Sequence, residues 1–121
     1  MEYSYYIFDQ IIYLQIKGDL LGGNEDKELL ELVQIYQKGQ IKYCLFNMVE
    51  LSHMNSKGLS IILQILNLLT EPGGNVVLIK PAAQVQKLLS ITKLVKILKL
   101  ADSNQEAFEI IEKLNSSVKI A

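Results

Sequence analysis

From Ile11 to Lys17 the chain alternates, with Ile12, Leu14 and Ile16 in one set and Tyr13, Gln15 and Lys17 in the other. A period of two marks a strand whose faces differ. Tyr3 to Phe8 is aromatic and apolar and suits a second strand. Asp9-Gln10 can turn the chain between them, so an antiparallel hairpin is expected. After a loop from Gly18 to Gly23 the period changes: Leu29, Val33 and Tyr36 fall at helical spacing. Asn24 can cap this helix, and Glu25, Asp26 and Glu28 put negative charge where the helix dipole favours it. Lys38-Gly39 is a plausible stop.

Tyr43 to Phe46 is a continuous apolar run, as expected of a strand covered on both faces. Leu51 to Lys57 reads as a polar transition into a helix from about Ser56 to Thr70. That helix is apolar almost all round and therefore buried. Glu71-Pro72-Gly73-Gly74 ends it. Val76 to Ile79 is another buried strand. Pro81 suits a first helical position, with Val85, Leu88, Leu89 and Thr92 as the face behind it. Leu98 to Ala101 is a weaker strand. Ser103 and Glu106 have capping-box spacing, ahead of the stripe Ala107, Ile110, Ile111 and Leu114. The order is β-β-α-β-α-β-α-β-α. It predicts an α/β domain over residues 1–121, with an N-terminal hairpin, then β-α repeats, and helices on a mainly parallel sheet.

Composition narrows the function classes. Of 121 residues, 50% are hydrophobic, enough for one core. Twelve basic side chains balance thirteen acidic ones, leaving a net charge of -1, so nothing favours nucleic acid as a partner. Cys44 is the single cysteine, which excludes an intrachain disulfide and makes a reducing cytoplasm the expectation. The first residues lack a signal-peptide pattern. The apolar stretch Gly58 to Leu69 is interrupted by Gln64 and Asn67 and falls short of the roughly 20 residues of a membrane span. His53 is the single histidine and is read as solvated or capping, and Cys44 as a core residue. One histidine and one cysteine do not make a structural zinc site. The paired glycines belong to no phosphate-binding pattern. Lys87, Lys93, Lys96 and Lys99 read as a solvated face, with a basic docking patch as the functional alternative. No metal, cofactor or catalytic residue is expected, and the chain is read as a non-enzyme.

The informative segment is Asn47 to Leu63, NMVELSHMNSKGLSIIL, which leads from a buried strand into a buried helix. Ser56 at the helix start can act as an N-cap. It can also carry a phosphate, because a helix N-terminus tolerates anionic charge. With Asn55, Ser56, Lys57, Gly58 and Leu59 here, Gly18-Asp19-Leu20 after the second strand, and Asp102, Ser103, Glu106 and Ala107 near the end, the chain resembles the STAS domain family. That family includes the bacterial anti-sigma-factor antagonists.

The resemblance implies partner switching. The unphosphorylated domain binds an anti-sigma factor, often a serine kinase with a histidine-kinase-like ATPase fold, and phosphorylation of the motif serine, here Ser56, releases it. For every binding reading the expected contact surface is the helix entry and the adjoining sheet edge, with Asp19, Glu50, Ser52, His53, Met54, Asn55, Lys57 and Gly58 as candidates and a core role for Met54 as the alternative. The chain departs from the family's usual residues at Asn55 and Asn47, where aspartate is common, at Lys57, where a second serine is, and at Leu21, where an acidic residue is. These losses favour a second reading, a constitutive scaffold subunit docking on a transporter ATPase. A small-molecule-sensing STAS domain is a third. A homodimer through the hairpin edge is a further expectation.

Overall fold

The computed structural model describes residues 1–39 and 41–120. The hairpin is β1 (Glu2–Phe8) and β2 (Ile11–Leu20), paired antiparallel with Tyr6 opposite Tyr13. Then come α1 (Asn24–Gln37), β3 (Tyr43–Asn47), β4 (Leu51–Met54), α2 (Ser56–Thr70), β5 (Asn75–Ile79), α3 (Ala83–Ile91), a short 3-10 turn (Leu94–Lys96), β6 (Lys99–Ala101) and α4 (Asn104–Ile120). The sheet runs β1-β2-β3-β5-β6, and all its pairs after the hairpin are parallel. The mixed α/β architecture with a mainly parallel sheet agrees with the pattern of the chain.

Alternation along the strands divides the core. Ile12, Leu14 and Ile16 of β2, Cys44 and Phe46 of β3, and Val76 and Leu78 of β5 face one layer, which α1, α2 and α3 complete. Ile11, Tyr13, Tyr43, Leu45, Val77 and Ile79 face the other, covered by Ala107 and Ile111 of α4. The continuous run Tyr43 to Phe46 is thus apolar because both its faces are buried. The central helix α2 buries Leu59, Ile61, Ile62, Ile65, Leu66 and Leu69. Each such side chain contributes about 1.5–3 kcal/mol in transfer free energy before the entropy of ordering is set against it.

Several local expectations are corrected. The first half of the expected loop, Gly18 to Leu20, is strand, and Leu51 to Met54 is a strand rather than a transition. The two segments pair with each other in parallel beyond the edge of the main ladder. Gly18, at φ +98°, lies where the register shifts. Asn24 is inside α1, not its cap; Gly23 precedes it, and the Asp26 carboxylate accepts the Gly22 N–H. Pro81 lies two residues before α3, is buried, and is not its first residue. At α4 half of the capping box forms: the Glu106 N–H donates to Ser103 Oγ at 3.1 Å.

Candidate functional site

The site sits where the tail of β2, β4 and the start of α2 meet. Parallel pairing of Gly18–Leu20 with Leu51–Met54 sets Asp19 beside His53. Their Oδ1 and Nδ1 atoms are 3.1 Å apart, and both side chains are largely solvated, so the pair adds little stability. His53 therefore belongs to a strand, not to a loop, and it faces water.

Asn55, not Ser56, caps α2. Its Oδ1 accepts the Gly58 N–H at 2.9 Å, while its Nδ2 donates to the Leu21 carbonyl at 3.2 Å. One side chain thereby closes a helix end and ties it to the β2–α1 connection. Ser56 moves to the first helical position, exposed, and its hydroxyl makes no hydrogen bond among the described residues. Lys57 is exposed and its stem lies over Gly22: a Cβ on that glycine would stand 2.4 Å from Lys57 Cβ. Gly22 also has a φ of +89°, which favours glycine on its own account.

Two proposed contact residues are corrected. Met54 is 3% exposed and belongs to the larger core. Gly58 is buried against β2, where a Cβ would come within 2.0 Å of the Leu20 carbonyl oxygen. Both hold the site together from beneath and present nothing to a partner. Asp19, Glu50, Ser52, His53, Asn55, Ser56 and Lys57 are exposed. Leu21 and Val49 are exposed beside them, and nothing in the sequence singles out Val49 as a contact. An isolated valine between two buried segments carries no periodic signal that would have marked it.

Asn47, at the end of β3, is occupied with structure. Its Nδ2 donates to the Tyr13 hydroxyl at 2.7 Å, that hydroxyl donates to Asn104 Oδ1 at 2.9 Å, and Asn47 Oδ1 accepts the Val49 N–H at 3.0 Å. A carboxylate could not donate to Tyr13, so the amide at this position fits the network it serves. Cys44 is wholly buried, and burial pushes its thiol far up from its ordinary range. A nucleophilic thiolate is not available there. Among the described residues no three His, Cys, Asp or Glu side chains gather as a metal site would require. No helix among them is long and apolar enough to cross a membrane.

The STAS domain profile matches residues 3–107. The chain belongs to the STAS domain family. It is 24% identical over 102 residues to the anti-sigma F factor antagonist of Paenibacillus polymyxa, covering 84% of this chain and 87% of that one. A candidate anti-sigma factor antagonist from Thermotoga maritima superposes with a TM-score of 0.82 at 23% identity, over 91% of this chain and 94% of the other. The anti-sigma factor antagonist SpoIIAA superposes in its unphosphorylated form with a TM-score of 0.74 at 16% identity, over 94% and 98% of the two chains. In its phosphorylated form, from Bacillus, the TM-score is 0.73 at 17% identity, over 91% and 99%. At these identities the superpositions establish the shared STAS fold.

Proposed function

We propose that this STAS domain is a non-catalytic, cytoplasmic regulatory module that binds an anti-sigma factor of the serine-kinase type and is switched by phosphorylation of Ser56. The observation that carries the reading is the freedom of the Ser56 hydroxyl. Asn55 has taken the cap, so Ser56 can be modified without removing a bond that holds α2. The amides at the first turn and the adjacent Lys57 favour an added phosphate. The phosphate brings about -1.5 to -2 charges to a surface that already carries Asp19 and Glu50. A partner docked on Asp19, Ser52, His53 and Asn55 would meet that charge at close range. The name of the Paenibacillus relative and the two forms of SpoIIAA support the reading.

The test is a pull-down from native extract with the wild-type chain as bait, followed by binding of the captured partner to Ser56→Ala and Ser56→Glu. A kinase-like anti-sigma factor is expected. Ser56→Ala should bind as wild type and Ser56→Glu at least about tenfold more weakly, equivalent to about 1.4 kcal/mol. A transport ATPase as partner, bound equally by all three proteins, would instead make the chain a constitutive scaffold and end the switch reading.

A further inference from the structure

Charge is segregated along this chain. Between Glu71 and Asp102 there are five lysines, Lys80, Lys87, Lys93, Lys96 and Lys99, and no carboxylate side chain. The rest of the chain has seven lysines against thirteen acidic residues. All five lysines are exposed, and among the described residues none makes an ion pair or hydrogen bond through its side chain. A nearly neutral protein thus carries an unneutralised basic region next to an acidic remainder.

The middle of that region is short and continuous. In α3, Val85 and Leu89 face the core, which turns Lys87 and Ile91, one helical turn apart, toward solvent. Lys93 then takes a left-handed conformation, φ 62°, ending the helix and starting the 3-10 turn that carries Lys96 and leads to Ile97. Ile91 is 68% exposed and Ile97 49%. Scattered single apolar residues need no explanation, but here two exposed isoleucines and three exposed lysines fall within eleven residues of one helix-to-turn segment.

We infer that the Lys87–Ile97 segment is a docking surface for an anionic lipid bilayer. Lysines meet anionic headgroups on flexible stems, while aliphatic tips reach the boundary with the acyl chains. A fluid bilayer accepts both without a shaped complement. A folded acidic protein would satisfy the lysines but would need a matching pocket for each isoleucine. The inference is independent of the phosphorylation reading, since Ser56 and its neighbours take no part in it.

Co-sedimentation of the full chain with vesicles of equal parts phosphatidylglycerol and phosphatidylcholine tests it, against pure phosphatidylcholine. Binding to the anionic vesicles alone is expected at low salt, and its loss in high salt. With about 1 kcal/mol per lysine at the surface, or roughly fivefold, Lys87→Gln/Lys93→Gln/Lys96→Gln should weaken partitioning on the order of a hundredfold. Lys17→Gln/Lys27→Gln/Lys38→Gln makes the same change in net charge elsewhere and should leave it largely intact. Ile91→Ser/Ile97→Ser should cost roughly tenfold on vesicles and nothing on soluble polyglutamate. All these positions are exposed, so the variants should melt as wild type. Failure of the wild type to bind anionic vesicles overturns the proposal, as does equal loss in both lysine triples. Vesicle binding indifferent to the isoleucine change points to an acidic polypeptide or nucleic acid instead, and overturns it too.

Discussion

The starts of α1 and α2 lie on two neighbouring helices that pack against each other, yet they are finished in opposite ways. The first turn of α1 holds Glu25 and Asp26, and Asp26 is buried, accepting the Gly22 N–H. The first turn of α2 holds no acid; a neutral amide caps it, and Ser56 and Lys57 face water. The α1 terminus is complete, its dipole met by carboxylates within the fold. The α2 terminus is mechanically closed and electrostatically open. The difference teaches that a helix end can be stable while leaving its positive end for an incoming anion. It also says why the neighbour does not compete for one.

The largest effect should come from what holds the open end in place. Gly58→Ala puts a Cβ 2.0 Å from the Leu20 carbonyl oxygen and 2.7 Å from its carbonyl carbon, both backbone atoms. Alanine in a helix interior ordinarily gains about 1 kcal/mol over glycine. Here overpacking should reverse the sign and cost about 3 kcal/mol, read from the urea midpoint. Gly23→Ala, which meets nothing within 4 Å, is the counterpart at α1 and should change stability by less than about 0.5 kcal/mol. Equal effects at the two glycines would dissolve the contrast in how the two ends are seated.

Next is the completed end. Asp26→Ala removes a buried acceptor and a first-turn charge together, at an expected cost of about 2 kcal/mol. Asn55→Ala, which removes a neutral cap and its tie to Leu21, should cost about 1 kcal/mol by the same measurement. Were Asn55 the costlier of the two, the electrostatic distinction between the termini would be wrong.

What could be read from the sequence follows the range of the forces involved. The bounds of α2 were legible because a dense apolar period runs between a polar start and Pro72-Gly73-Gly74. The two faces of β2 were legible because alternation is local, but the burial of Ile11 and Tyr13 under α4 was not. β4 was not: Leu51 and Met54 point inward and Ser52 and His53 outward, but four residues make no period, and the pairing partner lies some thirty residues earlier. That partner was hidden as well, since Gly18 reads as loop when it lies in the strand at a shift of register. The same gap misled the site. Met54 reads equally as an apolar contact or a core residue and Gly58 as part of a binding motif, and the strand pairing that buries both is invisible to a local reading. The cap was displaced by one residue because asparagine and serine both serve, and only the Asn55 bond to Leu21, again non-local, decides between them.

The smallest effect is the one that sharpens the comparison most. If Ser56 held α2 as a cap, Ser56→Ala would cost about 1 kcal/mol, as Asn55→Ala should. With Asn55 already accepting the Gly58 N–H, the Ser56 hydroxyl has no structural bond to lose, and alanine is the better helix former. Ser56→Ala should therefore shift the stability by less than about 0.5 kcal/mol in either direction. The double variant with Asn55→Ala should be additive, because no bond is shared between the two side chains. A cost near that of Asn55→Ala, or strong coupling between the two, would mean that the hydroxyl belongs to the scaffold. A null effect leaves Ser56 as a side chain the fold does not use, set at the helix end the fold does not neutralise.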